Sequence, residues 1–255
     1  MPARLHVQEL GSGDTLLLHQ GLGQGSWAWR YVAPVLAAHF RTIVFDTRGT
    51  GRSPVPDDPY GIDDLAVDAA QVLGGRPAHV VGFSMGGYVA LTLALTRPEL
   101  VHSLVLAGTG AGGPERVPRP ADVRDAFERA LLLPAEEARR ATMPYTFSAG
   151  WPARNPEQFE EILAATLELP TPRATIEAHI AACYRFYDAA IEVERIDLPA
   201  LVVHGREDLI VPPENGRRLA RRLPNAHYVE LPERGHNVML EDPDTFTRLV
   251  LEFLG

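Results

Sequence analysis

Three short stretches carry residue types that could perform nucleophilic chemistry together: "VVGFSMGGYV" around Ser84, "VVHGREDLIVP" around Asp208 and "LPERGHNVMLEDP" around His236. A serine hydroxyl is a poor nucleophile near neutral pH. It becomes useful only with a base that takes its proton and a third group that orients the base. Ser84 stands between an uninterrupted β-branched run and a run of apolar residues at helical spacing that must stop before Pro98. Gly82, Gly86 and Gly87 remove side chains where such a strand-to-helix corner turns tightly, and they let the residue between them take a strained conformation. The pattern is G-x-S-x-G, the nucleophile elbow.

The elements that must position these residues are short apolar strands at 16–19, 41–46, 78–83, 103–108, 200–205 and 226–231. Segments of helical period lie between them at 26–38, 63–73, 85–96, 214–223 and 243–254. Alternating strands and helices specify an α/β fold with a mostly parallel sheet covered on both faces, and reactive residues gather beyond the C-terminal strand ends. Asp208 falls a few residues past one strand, and His236 falls in the loop between the last strand and the last helix. One interval, 110–197, holds only helix-like segments punctuated by prolines. It reads as a helical cap inserted into a core made of residues 1–109 and 198–255.

At 255 residues the chain can bury one large core, and its net charge of −9 argues against nucleic acid or an anionic membrane as the main partner. Cys183 is the single cysteine, read as a small apolar filler in a helix, so an internal disulfide and a cysteine-based zinc site are excluded on count. No signal peptide and no membrane-spanning run is visible, which makes a cytoplasmic protein the expectation. There is no repeat, and nothing in the pattern declares an oligomer interface.

"GFSMGG", "HGREDLIVP" and "GHNVMLEDP" resemble the nucleophile, acid and histidine segments of the α/β-hydrolase superfamily, in the family's order of serine, acid and histidine. "FDTRGTGRS" resembles that family's loop after the second parallel strand. With "LLLHQGLGQGSW", the chain is most similar to small serine esterases and enol-lactonases of the 3-oxoadipate enol-lactonase type. The resemblance implies an α/β-hydrolase fold and carboxylic ester or lactone hydrolysis through an acyl-enzyme, with no cofactor or metal and a small molecule as partner. Family members commonly carry His-Gly where this chain has Gln20-Gly21, so a different side chain braces the oxyanion loop. Only about fifteen residues precede the first strand, so the usual first antiparallel strand is expected to be missing from a sheet of about seven.

In this reading Ser84 is the nucleophile, His236 the general base and Asp208 the acid that stabilises the imidazolium. A histidine's free pKa of about 6.5 predicts activity rising through about pH 6 to 7. Glu207 is read as solvent-facing or helix-supporting, and Glu233 and Glu241 are distant alternatives for the acid. The backbone N–H groups of Leu22 and Met85 are the expected oxyanion donors. "GLGQG" is no phosphate loop, because it is not G-x-G-x-x-G and no GK[ST] occurs.

His19 and His204 are expected to be structural, and Asp46 and Arg48 to tie down their own loop by local ion pairing. Trp27 and Trp29 should pack at the start of the first helix, with the pocket mouth as an alternative for Trp27. Trp151, Tyr145 and Phe186 are the substrate-binding candidates in an apolar acyl pocket. Cap arginines, among them Arg124, Arg139, Arg140, Arg154 and Arg185, could bind a substrate carboxylate. Two alternatives remain open: the same residues used for perhydrolysis or carbon–carbon bond hydrolysis, and a scaffold that only binds a ligand. Epoxide hydrolases and haloalkane dehalogenases differ, bearing aspartate where this chain has Ser84.

Overall fold

Strands covered on both faces by helices must be apolar at every position, and "TLLLH" and "ALVVHG" are buried from end to end. The computed structural model of the protein describes residues 5–255. Its seven strands are β1 (Val7–Leu10), β2 (Thr15–His19), β3 (Arg41–Phe45), β4 (Ala78–Phe83), β5 (Val101–Ala107), β6 (Ala200–Gly205) and β7 (Ala226–Leu231). They form one sheet in the order β1-β3-β2-β4-β5-β6-β7. All pairings are parallel except that of β1, which runs antiparallel to β3 with Val7 opposite Phe45. The stretch expected to lack an antiparallel strand therefore supplies one. Its four residues, Val7, Gln8, Glu9 and Leu10, are all exposed, and backbone pairing at the sheet edge, rather than burial, makes them a strand.

The helices are α1 (Ala33–Leu36), α2 (Ile62–Leu73), α3 (Met85–Thr96), α4 (Ala121–Ala130), α5 (Ala135–Thr142), α6 (Trp151–Arg154), α7 (Pro156–Glu168), α8 (Arg173–Asp188), α9 (Pro213–Arg222), α10 (Val238–Glu241) and α11 (Pro243–Leu254). The segment 26–38 is not one helix. It is a 3₁₀ turn over Ser26–Trp29 followed by the single turn of α1, whose Pro34 offers no N–H and blocks the carbonyl one turn back. The apolar spacing survives the break, and Trp29, Val32 and Leu36 all point into the core.

Two apolar layers flank the sheet. Leu65 of α2, Leu91 of α3 and Leu219 of α9 belong to one, and Leu36 of α1 with Phe246 and Val250 of α11 to the other. The central helix α3 has no polar face, as its burial from Met85 to Ala94 requires. Between β5 and β6 the chain makes an excursion that contains α4 to α8. Its ends meet through an isolated antiparallel bridge between Gly112 and Ala190, and Gly113 N–H donates to the Tyr187 carbonyl at 2.8 Å. The excursion packs onto both layers, through Cys183 and Phe186 on one and through Phe147, Phe159 and Ile162 on the other. No helix among the described residues is long and apolar enough to cross a membrane.

Candidate active site

The corner between β4 and α3 holds Ser84 at φ 54°, ψ −117°, a conformation that L-residues rarely adopt. Surrounding contacts over-determine it: Ser84 N–H donates to the Ala107 carbonyl (2.9 Å), and Thr109 Oγ1 donates to the Ser84 carbonyl (2.9 Å). Gly86 is needed because a Cβ there would lie 2.1 Å from the His19 carbonyl oxygen, a backbone atom that cannot step aside. This close approach brings the loop after β2 against the helix N-terminus.

The sheet delivers Asp208 and His236 to the same spot. Ser84 Oγ lies 3.0 Å from His236 Nε2, and His236 Nδ1 lies 2.7 Å from Asp208 Oδ2. A carboxylate only accepts, so the imidazole proton sits on Nδ1 and Nε2 is free to accept from the serine hydroxyl. Asp208 is buried, and its other oxygen, Oδ1, accepts the backbone N–H groups of Ile210 (2.8 Å) and Val211 (2.9 Å). Burial alone would push its pKa up, but the charge and hydrogen bonds of His236 and His204 outweigh that and hold the carboxyl well below the usual carboxylate range.

His204, expected only to be structural, lies with Nε2 2.8 Å from the Val211 carbonyl and 3.2 Å from Asp208 Oδ2. It stands four residues before the acid, a spacing that could have flagged it. His19 is structural as expected, with Nδ1 3.1 Å from the Gln20 carbonyl.

The neighbouring carboxylates take other work. Glu207 is not simply solvent-facing: it accepts the Ala149 N–H at 2.8 Å. Glu241 is buried and accepts the N–H of Gly235 (2.9 Å), the N–H of Ser148 (3.2 Å) and the Ser148 hydroxyl. Burial pushes its carboxyl pKa up. These two glutamates join the loops of Asp208 and His236 to Ser148 and Ala149 of the excursion. Glu233 is exposed.

Leu22 and Met85 line the same cavity as Ser84 and His236. Met85 opens α3, so its N–H has no intrahelical acceptor and lies at the positive end of the helix dipole. Gln20, standing where the family's histidine is common, donates from Nε2 to the Phe45 carbonyl (2.8 Å) and to Thr47 Oγ1 (2.9 Å). It therefore ties the loop after β2 to the end of β3. Asp46 accepts the N–H groups of Ser26 (2.7 Å) and Arg52 (2.9 Å). Arg48 does not pair within its own loop. It forms a two-pronged ion pair with Asp68 of α2 at 2.6 and 2.7 Å, because the helix brings a carboxylate to the fork at bidentate geometry.

The cavity over Ser84 measures about 820 Å³. None of the three aromatic candidates lines it. Trp151 is buried and stacked on Phe147 at 4.3 Å, Phe186 is buried and stacked on Tyr88 at 4.5 Å, and Tyr145 lies beside Phe127. Large aromatic faces gain more by sealing the excursion onto the core than by facing a water-filled space. Trp27 does line the cavity, as do Ile162, Ile176 and Ile180. Cys183 on α8 is also part of the wall, and burial pushes its thiol up to about 12, which leaves it inert.

Five arginines and one glutamate, Glu128, face the cavity. Arg124 and Arg173 have carboxylate partners. Arg116 and Arg119 lie over the rings of Tyr187 and Phe127, and Arg139 donates to the Gly23 carbonyl, none of them with a carboxylate partner among the described residues. Among the described residues, no group of three or more His, Cys, Asp or Glu is arranged to hold a metal ion.

A family model described as the alpha/beta hydrolase fold matches residues 14–243. The chain is 31% identical to the RutD protein of Stutzerimonas stutzeri, which bears the name of a carbamate hydrolase, over 100% of this chain and 97% of that one. It is also 31% identical to a 2-hydroxy-6-oxononadienedioate/2-hydroxy-6-oxononatrienedioate hydrolase of Paraburkholderia phymatum, over 99% and 91% of the two chains. Among solved structures, the enol-lactonase from Burkholderia xenovorans LB400 superposes with a TM-score of 0.85 at 28% identity, covering 99% of this chain and 96% of that one. With the match of the family model over most of its length, the strand order and the elbow, this chain belongs to the α/β-hydrolase family.

Proposed function

We propose that the protein is a serine hydrolase that cleaves carboxylic esters or lactones through an acyl-enzyme, with residues 110–197 acting as a cap over the site. The observation that carries this reading is the hydrogen-bonded line from Ser84 Oγ through His236 to Asp208 at the wall of a cavity large enough for a small substrate. His236 Nε2 takes the hydroxyl proton as Ser84 Oγ attacks the carbonyl carbon, and the carbonyl oxygen gains the negative charge. The N–H groups of Leu22 and Met85 meet that oxyanion without reorganising. Collapse expels the alcohol oxygen, which takes the proton from His236 and leaves acyl-Ser84. A water then gives its proton to the same nitrogen as its oxygen bonds to the acyl carbon, the bond from that carbon to Ser84 Oγ breaks, and Oγ takes the proton back from His236 as the acid leaves.

The similarity to an enol-lactonase supports the lactone half of this reading, and the three arginines without carboxylate partners favour substrates that carry a carboxylate of their own. The test compares p-nitrophenyl butyrate with the mono-p-nitrophenyl ester of glutaric acid, in the wild type and in Ser84→Ala. Turnover that falls at least about a hundredfold in Ser84→Ala, with a lower KM for the anionic ester, is the expected result. Equal activity in both proteins would remove Ser84 as nucleophile, and equal KM values would remove the anionic preference.

A further inference from the structure

Gly23, next to the expected oxyanion donor Leu22, is gripped on both sides of its peptide unit by the excursion. Its N–H donates to Nδ1 of His179 on α8 at 3.2 Å. Its carbonyl accepts Thr171 Oγ1 at 3.0 Å and Arg139 Nη2 at 3.3 Å. The residue sits at φ +65°, and a Cβ there would lie 2.4 Å from Ile176 Cδ1, so the loop packs directly on a side chain of α8. Gly21 and Gln24 close the turn itself, Gly21 N–H donating to Gln24 Oε1 (3.0 Å) and Gln24 N–H to the Gly21 carbonyl (3.2 Å). The sheet side, through Gln20, ends two residues before Leu22.

His179 is fully buried, against the edge of the Tyr60 ring. Because Nδ1 accepts, its single proton is on Nε2. Burial lowers its pKa to about 4, and so the ring stays in the neutral form that can accept from Gly23 at any pH where the enzyme would work. A buried histidine that spends one nitrogen on a single glycine N–H, more than 150 residues away, is a costly way to fill space.

Resting on the hydrolase reading above, we infer that His179 is a positioning residue for catalysis: it fixes the Gly21–Gly23 turn so that Leu22 N–H points at the developing oxyanion. The excursion then contributes to the chemical step as well as to the shape of the cavity. An oxyanion donor works only if its direction is set before the reaction, and a displacement of about 1 Å costs up to about a hundredfold in rate. Substrate in the ground state gains little from the same bond, so the effect belongs to kcat and not to KM.

The experiment compares His179→Leu, which keeps bulk and loses the acceptor, with His179→Asn, whose Oδ1 can stand where Nδ1 stood. Steady-state kinetics on p-nitrophenyl butyrate is read beside the affinity for a trifluoromethyl ketone, which forms an oxyanion-bearing adduct with a serine. His179→Leu is expected to lose about tenfold in kcat and a similar factor in ketone affinity at nearly unchanged KM, and His179→Asn to recover most of both. A loss confined to KM, or a His179→Asn variant as impaired as His179→Leu, overturns the inference. Should His179→Leu fail to fold, Thr171→Val removes a second grip on Gly23 from a half-buried position. It is expected to lower kcat and ketone affinity together, and unchanged values for both would equally overturn the inference. Wild-type turnover and its loss in Ser84→Ala judge the hydrolase reading separately.

Discussion

Replacing Asp208 by asparagine changes one atom and should nearly abolish turnover, for a reason that the surrounding hydrogen bonds dictate. Oδ1 of Asp208 accepts two backbone N–H groups, from Ile210 and Val211, so the amide of Asp208→Asn must keep its oxygen there. Its NH₂ is then forced onto the position that now receives His236 Nδ1 at 2.7 Å and His204 Nε2 at 3.2 Å. Two donors cannot face each other. His236 must therefore move its proton to Nε2, where it points at Ser84 Oγ and can no longer accept from it. The wrong tautomer, together with loss of the charge that stabilises the imidazolium, costs on the order of 10⁴-fold in kcat, or about 5 kcal/mol. The assay is ester hydrolysis under saturating substrate together with the rate of labelling by a phosphonate, on protein whose thermal melt is measured alongside. A drop of less than about tenfold in a folded variant would refute the tautomer argument. It would point to Glu207 or Glu241 as the acid if Glu207→Gln or Glu241→Gln then proved the inactive form.

Two further outcomes follow from burial. His19 and His179 have their pKa values lowered from 6.5 to about 4 by desolvation, so between those values the unfolded chain binds protons that the folded chain refuses. Stability therefore falls as pH is lowered from about 6.5, by about 2 kcal/mol per group at about pH 5; a urea midpoint unchanged between about pH 7.5 and pH 5 would contradict this. Trp151→Ala should lower stability by about 3–5 kcal/mol in denaturant unfolding while leaving KM unchanged, because the indole is packed on Phe147 and away from the cavity. A raised KM in a protein of unaltered stability would return Trp151 to the pocket.

What could be read from the sequence was information that neighbours encode. Ser84 is flanked by the strand, the glycines and the helix that its conformation needs, and Asp208 and His236 each follow a strand at short range, so the parallel sheet brings them within hydrogen-bond reach. Contacts set by distant partners were not legible. Arg48 pairs with Asp68 across twenty residues, and nothing local distinguishes that partner from Asp46. Aromatic composition pointed to Trp151 and Phe186 as pocket lining, but the partners that bury them, Phe147 and Tyr88, are fixed only by how the excursion folds onto the core. The exposed edge strand β1 carries no alternating apolar pattern, since what holds it is backbone pairing with β3. His179 is a lone histidine on a helix, and only the folded chain reveals that a glycine N–H waits for it.

The polar contacts at the inner edge of the excursion divide its residues into two kinds. Glu241 and Glu207 hold Ser148 and Ala149 from the loops of the histidine and the acid, and His179, Thr171 and Arg139 hold Gly23 from the other side. Changing any of these disturbs the loop of Asp208, the loop of His236 or the turn that holds Leu22. Residues such as Leu131, Ile162 and Ile180 face the cavity through apolar side chains that bind no loop backbone by hydrogen bonds. These can change in size at the ordinary cost of repacking, about 1–3 kcal/mol or less. Substrate shape can therefore vary through the apolar wall while the polar seam keeps the loops of Asp208 and His236 and the loop after β2 in register. That division is one physical route by which proteins about 31% identical to this chain along nearly their whole length can bear the names of a carbamate hydrolase and of an oxo-dienedioate hydrolase.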